Sequence, residues 1–63
     1  MEIERLRHLL DHWIEHNDEH VKKYREWAEK IRSEREDIAE LIEESISHFE
    51  RGGEILKKAV ERL

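Results

Sequence analysis

The sequence predicts an all-α fold: an antiparallel helical hairpin, with helices over about residues 2–31 and 34–62, that dimerises into a four-helix bundle. Three observations predict it. Apolar residues recur at alternating three- and four-residue spacing through both halves, proline is absent, and 46% of the residues are charged, as in long solvated helices. The regular apolar spacing excludes disorder, the other reading of so charged a chain. The 63 residues form one domain, 1–63, too short to bury a comfortable core without a disulfide, a metal or a partner. Cysteine is absent, which leaves association, or a metal held by nitrogen and oxygen ligands, as the supplementary stabiliser.

In the first helix Ile3, Leu6, Leu10, Trp13, Asn17, His20, Tyr24, Trp27 and Ile31 form a stripe without a slip over four heptads. Such a helix is roughly 45 Å long. On its outer face Asp18 precedes Lys22, Glu19 precedes Lys23 and Glu26 precedes Lys30, each pair contributing only about 0.2 to 0.5 kcal/mol. Ser33 and Glu36 read as a capping box that opens the second helix, so the chain reversal is expected at Arg32 and Ser33.

The second helix repeats the spacing with Ile38, Ile42, Ser45, Phe49, Gly52, Leu56, Ala59 and Leu63. Gly52 and Gly53 cost about 2 kcal/mol together in a helix interior, and they leave two architectures open: one continuous helix, or a separate short helix over 54–63. A hairpin turning at 32 and 33 pairs positions whose numbers add to about 65. Trp13 then meets Gly52, which gives the glycines a packing role and favours the continuous helix. Beside this central stripe lie Ile14, Val21, Ala28, Ile46 and Val60 on one flank and Leu9, Leu41 and Ile55 on the other. A stripe so wide belongs in a bundle of three or four helices. Ile14, Val21, Ile46 and Val60 are expected at the interface of a homodimer.

The formal net charge of -5, with no cluster of Lys and Arg, argues against a nucleic-acid partner. Apolar runs are far short of a membrane span and no signal peptide is evident, so a cytoplasmic setting without membrane contact is expected. No nucleophile stands beside a base and no phosphate-binding loop is present, so the chain is not expected to be an enzyme. What exceeds the needs of a stable helix is a ladder of His8, His12, His16 and His20. Each step of four advances about 40° beyond a full turn, so only part of the ladder faces inward. His16 and His20 form an HxxxH pair, and His48 with Glu44 is expected to approach from the second helix, with His12 at the margin.

Such a set suits a transition ion, Zn(II), Ni(II), Co(II) or Cu(II). A di-iron site lacks its Glu-x-x-His pairs; paired histidines could still ligate haem, but without an attachment motif and with Trp and Tyr filling the core positions. The same residues, with Asn17 and Ser45, also read as a hydrogen-bonded polar layer that sets register in a structural or protein-interaction homodimer. A third reading is a bundle that loosens at about pH 5 to 6 as stacked imidazoles protonate. The stretch RHLLDHWIEHNDEHVKKYREWAEK, centred on His12, Trp13, His16, Asn17, His20, Arg25, Glu26 and Trp27, resembles a short histidine-rich helical domain of unknown function in archaeal and bacterial proteins, some near nickel or cobalt handling. The resemblance implies a helical hairpin and strengthens the metal reading, and it carries no established activity.

Overall fold

Unbroken apolar periodicity makes Glu2–Ile31 one helix, α1, and Glu36–Arg62 a second, α2, in the computed structural model, which describes residues 1–63. Acidic side chains occupy the first turns (Glu2 and Glu4; Glu36 and Asp37), and Lys30 and Arg62 stand in the last turns, complementing the helix dipoles. α2 runs straight through Gly52 and Gly53, and neither has a positive φ. The glycines do not divide the second helix.

The connection runs from Arg32 to Arg35, four residues where two are expected. Arg32 keeps right-handed helical angles after α1, and the Ile31 carbonyl then accepts from the Glu34 N–H at 3.0 Å and the Arg35 N–H at 2.8 Å. Arg35, with φ -143° and ψ 80°, is the residue before α2, and no side chain caps the helix. The expected capping box therefore does not form, and α2 begins at Glu36 instead of 34. The main chain already satisfies the turn, which leaves Ser33 without a helix end to cap. Arg35 instead donates to both carboxylate oxygens of Asp37, from Nε at 3.1 Å and Nη2 at 3.0 Å. This pairing holds the Asp37 carboxyl below the ordinary range and raises Arg35.

The helices meet along a seam that overlaps the expected stripe in part. Buried or half-buried positions on α1 are Leu10, Ile14, Asn17, Val21, Tyr24, Ala28 and Ile31, spaced alternately four and three. On α2 they centre on Ala39, Ile46, Gly53 and Val60, with Ile42 and Leu56 alongside. Of the expected interface residues, Val21 and Ile46 are buried inside the hairpin and are not free for a dimer, while Ile14 and Val60 are half-buried on the same seam. The reason is size. Ala39 and Ala28 are sealed from solvent at 0% and 1% exposure, and with Gly53 they let the two backbones approach, whereas a seam through Trp13 and Trp27 would hold them apart.

Asn17 pins the register. Its Nδ2 donates to the Phe49 carbonyl at 2.8 Å, in space left by the missing side chain of Gly53. A Cβ built on Gly53 would stand 2.8 Å from that same nitrogen, while one on Gly52 would meet nothing within 4 Å. Gly53 is thus a packing glycine that accommodates Asn17, not Trp13. Pairing at Asn17 and Gly53 offsets the register by roughly five residues from the expected one, since the chain reverses over four residues beyond α1 instead of two. Ser45 takes no part in this contact. Its hydroxyl donates back to the Ile42 carbonyl at 2.6 Å, so the expected Asn17–Ser45 layer is not formed.

Candidate functional site

The two broad sides of this rod differ in chemistry. On one side Arg25 bonds Glu50 at 3.3 Å and Arg32 bonds Glu43, bridging the helices with ion pairs. A furrow there along α1 has one apolar residue, Val21, among Lys22, Arg25, Glu26, Glu29 and Lys30, and is a solvated surface. On the other side, large apolar side chains stand in water. Trp13 is 47% exposed and Trp27 58%, and Phe49 and Leu6 are also exposed. Tyr24 packs on Phe49 with ring centroids 5.3 Å apart, and together with Trp27, Ile42 and Ser45 they line a shallow groove between the helices. Lys30 lies over the Trp27 ring, its Nζ 4.8 Å from the centroid, and the ring is still 58% exposed.

This open face is a second heptad stripe beside the first. On α1 it runs through Leu6, Trp13, His20 and Trp27, and on α2 through Ser45, Phe49, Gly52, Leu56 and Ala59. A two-helix contact uses one stripe per helix, and an adjacent second stripe is the mark of a helix with two neighbours. The sequence contained this signal, because both flanks of the central stripe are apolar. Of the expected inner stripe on α1, Leu10, Asn17, Tyr24 and Ile31 do lie in the seam, whereas Leu6, Trp13, His20 and Trp27 turn outward.

All five histidines are exposed. The ladder is continuous along α1: His12 and His16 have ring centroids 4.2 Å apart, His16 and His20 6.4 Å, and His20 and Tyr24 6.0 Å. His20, expected in the core, lies on the open face because the seam passes through Val21. His48 joins none of these ring contacts, and Glu44 lines an acidic furrow on α2 with Asp37, Glu40 and Leu41. One chain brings no three histidine, aspartate or glutamate side chains together around a point that would hold an ion. The set of His16, His20, His48 and Glu44 is therefore not assembled within a hairpin, and the register offset is the cause.

Residues 6–63 match the profile of a domain of unknown function, DUF8180. The chain belongs to this family. An uncharacterized protein of Archaeoglobus fulgidus is 44% identical to this DUF8180 chain over 61 residues, 97% of this chain and 98% of that protein. The match covers nearly the whole of both chains. No solved structure matches the chain. No helix of this DUF8180 domain is long and apolar enough to cross a membrane.

Proposed function

We propose that the chain is a homotypic association module without catalytic chemistry, in which two hairpins pack their open apolar faces together as an antiparallel four-helix bundle. The surface area carries this reading. The hairpin exposes 5354 Å², whereas a compact monomer of its 7.8 kDa exposes about 4,400 Å². The excess of roughly 1,000 Å² is comparable to the 800 Å² or so that each partner contributes to a standard interface. Shape agrees: the radius of gyration is 14.8 Å, against about 11 Å for a compact domain of this length, and the rod measures 50 × 14 × 12 Å. A two-fold pairing of identical faces closes such a surface without leaving an edge for a third copy. Gly52 supports the same reading, since a helical glycine with open space around it costs about 1 kcal/mol for no gain within one chain.

Sedimentation equilibrium tests the proposal. The wild type is expected to have the mass of two chains at micromolar concentration, and Trp27→Glu that of one, because the dimer would bury an unpaired carboxylate. Gly52→Ala adds a methyl group on the open face and is expected to weaken dimerisation while strengthening the isolated helix. Asp18→Lys, on the exposed surface of α1 away from the open face, is expected to leave the mass unchanged. A wild type that is fully helical as a single chain would overturn the proposal.

A further inference from the structure

We infer that the histidine ladder is one half of a transition-metal site completed by a second copy of the chain, an inference that rests on the dimer reading above. Two imidazoles bound to one tetrahedral ion through nitrogens about 2.0–2.1 Å away hold their ring centroids about 5.2 Å apart. His12 and His16, at 4.2 Å, stand about 1 Å inside that spacing and His16 and His20, at 6.4 Å, about 1 Å outside it, so either pair reaches it by side-chain rotation. The rings are available for this. None of the side-chain hydrogen bonds or ion pairs of the hairpin uses a histidine.

One chain supplies too few ligands, since no third group converges on either pair. Symmetry supplies the rest. The midpoint of α1, Glu2–Ile31, falls between His16 and Asn17. If the two copies of α1 lie antiparallel across the open face with their ends flush, the two-fold axis crosses at that level. The ladders then meet in register, with His16 beside the partner's His16 and His12 at the level of the partner's His20. His16 and His20 from each chain then supply four nitrogen ligands to one ion on the axis, a set that suits Zn(II), Ni(II), Co(II) or Cu(II), ions that favour imidazole, and does not suit Mg(II) or Ca(II). His8 lies beyond the ladder's meeting point and His48 lies on the other helix, so neither belongs to the site.

Titration of untagged, chelator-stripped protein with Zn(II), followed by calorimetry and by sedimentation, tests the inference. The expected stoichiometry is one ion per two chains. His16→Ala is expected to lower affinity by at least about tenfold, a loss seen even when an outer-shell group is removed. His20→Ala is expected to lower it likewise, His12→Ala to lower it less, and His8→Ala and His48→Ala to leave it unchanged. Trp27→Glu, held as single chains, is expected to bind more weakly than the wild type. A metal-free wild type that sediments as a dimer yet binds no Zn(II), or binds it equally well after His16→Ala, overturns the metal site and leaves the dimer standing. A wild type that binds one ion per chain as a monomer overturns the shared site and the dimer together.

Discussion

Gly53→Leu is expected to destabilise the hairpin by about 3 kcal/mol, the upper part of the usual range for overpacking a closed contact. The first atom of the new side chain would already be 2.8 Å from Asn17 Nδ2, and the rest would fill the gap through which that amide reaches the Phe49 carbonyl. Asn17 cannot yield cheaply. Its side chain is short, and moving it gives up a cross-helix hydrogen bond worth about 1 kcal/mol. A thermal melt at fixed protein concentration reads the effect, since about 1 kcal/mol shifts the midpoint of so small a domain by roughly 4–8 °C. Gly53→Ala separates the causes. In the native background it is expected to destabilise, because the lost contact outweighs the gain in helix propensity. In an Asn17→Ala background the same change is expected to stabilise by up to about 1 kcal/mol. A stabilising Gly53→Ala with Asn17 intact would show that the pin is absent.

The second large effect is expected at the turn end of the seam. Ala39→Leu places three more heavy atoms at a position with 0% exposure, where Ala28, at 1%, is also sealed. Only four residues separate Ile31 from Glu36, so the helices cannot splay there without straining the connection. The expected cost is about 2–3 kcal/mol, read from the midpoint of urea unfolding with an unchanged slope. An Ala39→Leu protein as stable as the wild type would mean that the turn tolerates a wider spacing than the seam shows.

Much of this architecture was legible in the residues, and the exceptions have a common physical origin. α1 is bounded as its apolar spacing predicts, at Glu2 and Ile31. The hairpin follows from two such helices joined by a short polar stretch. The start of α2 was misread by two residues because Ser33 and Glu36 have capping chemistry, yet the Ile31 carbonyl takes up the turn's amides first. The identity of the inner face was ambiguous for a deeper reason. Each helix carries two adjacent apolar stripes, and periodicity alone weighs Trp13 and Trp27 the same as Ile14 and Ala28. Which stripe turns inward depends on how closely the backbones can approach, and that is decided by Ala28, Ala39 and Gly53 together across two helices. The histidine site inherited the error: with the offset register, His48 no longer faces His16, while the ladder on α1, whose contacts are local to one helix, stands as its spacing implies.

The contact between Asn17 and Gly53 also has an evolutionary consequence. Neither residue is favourable by itself: an asparagine in an apolar seam needs an acceptor, and a glycine inside a helix needs a reason. Each supplies the other's justification, so loss of one removes the selection that retains its counterpart. Among DUF8180 sequences the two positions are therefore expected to change as a couple, with a small side chain at 53 wherever 17 is amide-bearing and an ordinary helix former at 53 wherever 17 is aliphatic. Such paired inheritance would carry the pitch of the hairpin through lineages whose outer surfaces have diverged.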